Sequence, residues 1–398
     1  MDQAVTGLSD SKDAGIDVIG RQQPVSQHHS PQNLQSQELA KKYSRQRITL
    51  NIIGTAFFFV FGLVTVASGF STILEGFCRR ITSNDYVAFT LFVAGFGSLE
   101  RILSLPLSYY SGFILEHKYR LSNQAFRAWI WEGVKGLLVG IPIGLPVLLV
   151  FYACLKNFAS LWWLPVGMVI FVVSVLLARV APILIFPIFY KFKPVADEKL
   201  KSRIVALCGK AGVVVQGVFV FDMSKNTKKA NAAFTGIGKS KRIVLGDTLV
   251  ANLTDEEIEA VFAHELGHYR LHHIWVSMAV GTLSTFLGLF CTALLYQWSL
   301  SLFGFSRIDQ IAALPLLSLW LGVYSLVTSP AVNVVSRAHE RAADRYALRT
   351  INNKEAFINA MKKLAAVNLS DTTPHPVIEF LFHSHPSIDK RIRAAQQY

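Results

Sequence analysis

The stretch VFAHELGHYRLHHIWVSMAVGTLSTFLGLFCTALL, Val261 to Leu295, sets an HExxH motif five residues before a mostly apolar run of 22 residues. His264 and His268 are four apart, so on a helix they share one face with Cβ atoms about 5–6 Å apart, and two imidazoles reach one Zn²⁺ at about 2.0–2.1 Å. Glu265 sits one residue along and suits a general base acting on a metal-activated water rather than a ligand. The apolar run from Ile274 to Leu295 is long enough to cross a bilayer. A metal-binding helix that runs into a membrane span predicts a site at the membrane surface.

Working upstream, Thr254 followed three residues later by Glu257 reads as a capping box, so the motif helix opens at about Asp255. Downstream lies a further span, Ile311 to Thr328, and then Ser336-Arg337-Ala338-His339-Glu340-Arg341-Ala342-Ala343-Asp344. Two spans separate this segment from HExxH, so both return to the same face of the membrane. Glu340 is therefore the expected third ligand. Asp344, four residues on, is the carboxylate expected to take the free N–H of a ligating histidine. Taken without this context, Glu340 would read as a solvated charge pairing with Arg337 or Arg341. His272, His273 and His339 are left unassigned, histidines of a membrane interface being commoner beside a span than a second metal.

The whole composition agrees with a membrane protein. Of 398 residues, 52% are apolar and 16% charged, against about 25% charged in soluble domains, and the mean hydropathy is +0.38. Those values exclude a disordered chain and a long coiled coil. Four more spans are expected: Ile48 to Ser68, Val87 to Leu107, Gly136 to Leu155 and Leu161 to Ala178. Glu100 and Arg101 inside the second should face a bundle interior or wet cavity and pair. Cys78, Cys154, Cys208 and Cys291 show no CxxC spacing and read as packing residues.

Residues 1–47, rich in Gln, Ser, Asp and Lys, read as a disordered polar tail. Residues 48–190 hold spans one to four. Residues 191–273 form an α+β part, with a helix over Asp197 to Ala211, a strand-like Val213 to Phe221, and short apolar runs at Asn231 to Phe234 and Arg242 to Leu245 around Gly236 and Gly238. Residues 274–330 hold spans five and six, and 331–398 complete the site. The net charge of +13 reflects Lys and Arg on inner loops, not nucleic-acid binding. With the N-terminus inside, the inner loops hold the Lys41 to Arg47 cluster, Lys118, Arg120, Arg127 and the basic insert, while the outer loops hold only Arg79, Arg80, Lys156 and Arg307. The N-terminus and the site are then cytoplasmic, in a bacterial inner membrane in preference to an endoplasmic reticulum.

HELGH, SRAHERAAD and Ser384-His385-Pro386-Ser387-Ile388-Asp389-Lys390-Arg391-Ile392, with Asn231-Ala232-Ala233-Phe234, Pro106 to Tyr119 and Ala181-Pro182 to Phe189, resemble the integral-membrane zinc metalloproteases of the type-I CAAX prenyl protease family. The resemblance, from about Val87 onward, implies one zinc per chain held by His264, His268 and Glu340, with Glu265 as base and Asp344 orienting a ligand. It implies that His385 and Arg391 stabilise the tetrahedral intermediate or hold the substrate backbone, and that Asn231 and Ala232 pair with an extended peptide. It also implies a water-filled chamber within a helical barrel. Family members have seven spans; here six are counted, the polar tail standing in place of the first. The fold expected is thus mainly α, a polytopic membrane protein of about six transmembrane helices with an inserted small α+β domain of zincin type. The expected activity is peptide-bond hydrolysis at the cytoplasmic face, in contact with lipid, on a peptide or protein, prenylated C-a-a-X tails in the family's case. Membrane-protein quality control of the heat-shock type is the alternative within the same chemistry. A non-catalytic zinc-containing channel or translocon partner is the alternative from another class.

Overall fold

The structure, a computed structural model, describes residues 31–235 and 242–398. Six helical stretches there are long and apolar enough to cross a membrane: Gln35–Ala67, Asp85–Lys118, Phe126–Leu161, Trp163–Phe189, His273–Phe303 and Ile311–Thr350. They coincide with the six expected runs, and at 27 to 40 residues each exceeds the roughly 20 a bilayer needs. Their ends therefore project beyond the apolar layer as ordinary helix, which is how a membrane span can deliver a charged ligand.

In chain order the helices are α1 (Pro31–Ala67), a short α2 (Phe70–Ile81), α3 (Asp85–Tyr109) passing through a π-helical turn into α4 (Leu115–Lys118), α5 (Phe126–Phe158), and α6 (Trp163–Val180), which passes through a second π-helical turn into α7 (Phe186–Phe189). The polar insert follows: β1 (Phe192–Pro194), α8 (Glu198–Lys210), β2 (Val218–Phe221), β3 (Ala232–Thr235), β4 (Arg242–Gly246), α9 (Asp247–Asn252) and α10 (Asp255–Arg270). Then come α11 (His273–Leu300), α12 (Leu314–Thr350), α13 (Lys354–Val367), α14 (Pro376–Phe382) and α15 (Ile388–Gln396).

The tail reading needs correction at its inner end. Residues 31–47 are not disordered but are the opening turns of α1, with Pro31 as the first helical residue. Composition misled here: Gln, Glu, Leu, Ala, Lys and Arg are good helix formers, and Ala40 and Tyr43, three residues apart, share one helix face and both bury, Tyr43 against Leu115, Tyr119 and Leu121. Residues 1–30 lie outside the described residues. Glu100 and Arg101 do not pair with each other either. Neighbours in sequence point to different sides of a helix, and Arg101 Nη1 donates instead to Ser108 Oγ at 3.4 Å.

Interactions at the two ends of the bundle show its topology. At one end Tyr43 donates to Glu116 Oε1 at 2.6 Å, and Lys229 Nζ, from the polar insert, lies 2.9 Å from Tyr43 Oη and 2.8 Å from Glu116 Oε2. At the other end Ala312 N–H donates to Glu75 Oε2 at 2.9 Å, while Asp85 pairs with both Arg79 and Lys156. The start of α1, the polar insert and the exit of α12 thus share one end.

The insert is a four-stranded sheet of order β1-β2-β4-β3, with β2 and β4 parallel and both outer pairs antiparallel. Asp197 caps α8, its carboxylate accepting from the N–H groups of Lys199 and Leu200, and the strand-like 213–221 stretch is regular only from Val218. Gly236 and Gly238 fall outside the described residues. The core joins Ile204, Leu207, Ile243, Leu245, Phe262 and Leu266 to Ala347, Phe357 and Met361. The polar part of the molecule is therefore built from two chain segments, 191–270 and 343–398, with two spans threaded between them.

Candidate active site

The motif helix is α10, opened by the capping box: Thr254 N–H donates to Glu257 Oε2 at 2.8 Å and Glu257 N–H to Thr254 Oγ1 at 3.4 Å. It lies against the far end of α12. The close approach depends on Gly267, the fourth residue of HELGH, because a Cβ there would stand 3.1 Å from Ala343 Cα and 3.2 Å from its carbonyl oxygen. With the helices this near, the three expected ligands converge. His264 Nε2 and His268 Nε2 are 3.2 Å apart, His264 Nε2 is 3.3 Å from Glu340 Oε2, and His268 Nε2 is 3.2 Å from Glu340 Oε1. One ligand atom from each lies within 4.8 Å of the others. Donors on a tetrahedral zinc with bonds of about 2.0–2.1 Å stand about 3.3 Å apart, so this triangle has the size the ion requires. Glu340 Oε2 is buried and has no hydrogen-bond partner among the described residues. A buried anionic acceptor left without a donor is unfavourable, and a cation removes that penalty.

Around the triangle each side chain has a distinct contact. His264 Nδ1 is 2.8 Å from Asp344 Oδ1, as expected for a carboxylate that orients a ligand. Arg391 donates to Asp344 through Nε at 2.8 Å and Nη2 at 2.6 Å, and its Nη1 stands 3.8 Å from Glu340 Oε2. Its guanidinium is thus largely committed to the carboxylates behind the ligands rather than free for substrate. His385 Nε2 is 3.3 Å from Glu340 Oε1 on the open side, its side chain 61% exposed. The side chain of Glu265 makes no hydrogen bond with any described residue and lines the cleft. Burial raises its pKa, and the positive charge of His264, His268 and Arg391 works against that rise.

The cleft measures about 600 Å³ and its lining includes all three ligand residues, Glu265, Asn231 and Ala232. A second cavity of about 740 Å³ shares Ala230, Asn231, Asn368, His385 and Arg391 with it and reaches Arg47 and Ile48 on α1. Along the first cavity runs β3, an edge strand that among the described residues pairs only with β4. Gly246 N–H donates to Asn231 O at 2.8 Å, and Ala232 stands opposite Leu245. Pairing alternates in an antiparallel ladder, so the N–H and C=O of Ala232 point to the open edge.

Arg337 was visible in the sequence only as a charge near Glu340. It donates to Glu379 O at 3.0 Å and His383 O at 2.6 Å, which pins the end of α14 and hangs His385 over the ligands. No local pattern announces such a contact across more than forty residues. Gly267 was likewise unmarked, because a glycine inside a motif helix shows no partner until α12 is placed.

The sequence profile of peptidase family M48 matches residues 194–398, and that of the CAAX prenyl protease N-terminal region, described as five membrane helices, matches residues 20–191. The chain belongs to peptidase family M48. It is 31% identical over 363 residues to an uncharacterised metalloprotease of Bacillus subtilis, covering 90% of this chain and 85% of that protein. To CAAX prenyl protease 1 of Saccharomyces cerevisiae it is 34% identical, over 76% of this chain and 71% of that one. The crystal structure of Ste24p from S. mikatae superposes with a TM-score of 0.82 at 28% identity, covering 94% of this chain and 91% of the other. This M48 chain is therefore a multi-pass membrane metalloprotease of the CAAX protease type, and the convergence of His264, His268 and Glu340 agrees with the metal that the family requires.

Proposed function

We propose that the metal is a single zinc ion held by His264, His268 and Glu340, and that the enzyme removes C-terminal peptides, prenylated C-a-a-X tails among them, at the cytoplasmic face of its membrane. The observation that carries this reading is the ligand triangle beside an open strand edge. When bound, the ion would polarise the scissile carbonyl and acidify the attacking water. The substrate lies extended along β3, its backbone bonding to Ala232 while Asn231 lines both cavities it crosses. Glu265 takes the water's proton and passes it to the leaving amine. His385, exposed on the open side of Glu340, donates an N–H to the oxygen that becomes negative. Arg391 holds Asp344, and through it the tautomer of His264.

The end that carries the site also carries Lys41, Lys42, Arg45, Arg47, Lys118, Arg120 and Arg127, while the far end has Arg79, Arg80, Lys156 and Arg307. That asymmetry supports a cytoplasmic site.

Purified enzyme in detergent, given a farnesylated C-terminal peptide and its unmodified counterpart, tests the substrate. Preference for the farnesylated peptide is the expected result; equal rates would remove the prenyl-directed reading and leave general membrane-protein proteolysis. In the same assay Glu265→Gln should lose at least about a thousandfold in rate while still containing one zinc, since it removes the base but no ligand.

A further inference from the structure

A histidine that ligates through Nε2 carries its proton on Nδ1, and that N–H needs an acceptor to hold the ring in place. For His264 the acceptor is Asp344. The sequence names no such partner for His268, and the structure supplies one from an unexpected residue. His273 Nδ1 lies 3.1 Å from His268 Nδ1, with the two rings 5.1 Å apart and inclined at 73°.

Helical geometry alone would not bring them together. At about 100° per residue, a position five further along an unbroken helix is turned about 140° away. Between α10 and α11 the chain breaks at His272, which adopts φ +59°, a left-handed conformation uncommon for a residue with a side chain. The break turns α11 so that its first residue, His273, folds back over the last turns of α10. Backbone outliers of this kind gather at functional sites. The His273 ring is buried and lies flat on His339, with centroids 4.1 Å apart and an interplanar angle of 8°. His339 precedes the ligand Glu340 on α12. The two helices that carry the ligands thus also clamp the ring that meets His268.

We propose that His273 is the positioning residue for the metal ligand His268, accepting its Nδ1–H so that Nε2 is held on the metal. His268 donates, so His273 Nδ1 is the unprotonated nitrogen and the ring is neutral with its hydrogen on Nε2. One ligating histidine is then backed by a carboxylate and the other by a neutral imidazole. The second partner adds no negative charge to a site that already holds Glu340, Asp344 and Glu265. The stack on His339 sets the plane of the accepting ring, and the turn at His272 sets its distance.

The inference rests on the metal reading above, and zinc affinity tests the two separately. Full-length wild type, His273→Phe and His273→Asn are stripped in detergent and titrated with zinc against a chromophoric chelator. Phenylalanine keeps the ring and its stack but offers no acceptor; asparagine places its amide oxygen near the position of Nδ1. The expected result is a loss of affinity of about ten- to a hundredfold in His273→Phe, with His273→Asn within about threefold of wild type. Unchanged affinity in His273→Phe overturns the proposal, and so does an equal loss in both variants, which would mark a packing effect. Failure of wild type to take up one zinc would overturn the metal reading instead.

Discussion

Gly267 shows how much of the site rests on the absence of an atom. The contacts its Cβ would make are with the backbone of Ala343, which cannot rotate aside as a flexible side chain would. Gly267→Ala must therefore move α10 against α12 by a few tenths of an ångström, and zinc geometry tolerates little of that. We expect the variant to fold, since alanine favours a helix, but to bind zinc at least about tenfold more weakly, roughly the loss caused when ligand support is removed; metal analysis after dialysis would show it. Cys208, in the core of the polar part, offers a pH-dependent check of packing. Burial pushes its thiol up to about 11, so at pH 8 only about one molecule in a thousand carries the reactive thiolate. It should resist a maleimide in folded protein at pH 8, react about tenfold faster for each unit of rising pH below 11, and label fully once unfolded. Rapid labelling of native protein at pH 8 would contradict the buried placement.

At the level of elements, β3 is the informative strand. Asn231 spends its carbonyl on Gly246, whereas Ala232 directs its N–H and C=O outward into the cleft. Proline at 232 would delete an outward donor without breaking a bond between β3 and β4, and proline is tolerated on edge strands for that reason. Ala232→Pro should lower kcat/KM by about three- to tenfold, the worth of one net hydrogen bond, with the unfolding temperature little changed. A rate equal to wild type would show that the substrate does not add to this edge. The helices make a related point. α12 runs 37 residues without interruption from the far membrane end to Thr350, so the third ligand is fixed to a membrane span rather than to a loop, and a rigid element holds ligand geometry better.

For the whole molecule, the tie of Tyr43, Glu116 and Lys229 joins the start of α1 to the catalytic part at one end of the bundle. The C-terminal α15 packs at the same end, where Arg391 meets Asp344. With that end cytoplasmic, a reporter active only in the cytoplasm should work when fused after Tyr398, and one active only across the membrane should work when inserted between Phe158 and Trp163. The opposite pattern would reverse the orientation and leave the chemistry of the site untouched. Six spans place the first described one beside α12, with Gly62 against Leu319 and Gly322 against Phe58 and Phe59, so the bundle closes on its sixth helix.

Patterns with a short range were legible in the residues alone. Hydropathy marked all six spans because each needs about twenty apolar residues in a row, the Thr254 and Glu257 pair marked the start of α10 because a capping box closes within four residues, and HExxH marked two ligands because one helical turn separates them. Glu340 could be placed because crossing the membrane twice restores the side. Packing between distant segments decided the rest. The docking of the first turns of α1 depends on Tyr43 meeting Tyr119, the seating of His385 on Arg337 reaching His383, the approach of α10 to α12 on Gly267, and the support of His268 on a kink at His272. None of these has a local signature, since each is a contact between surfaces that exist only after the helices have folded and met.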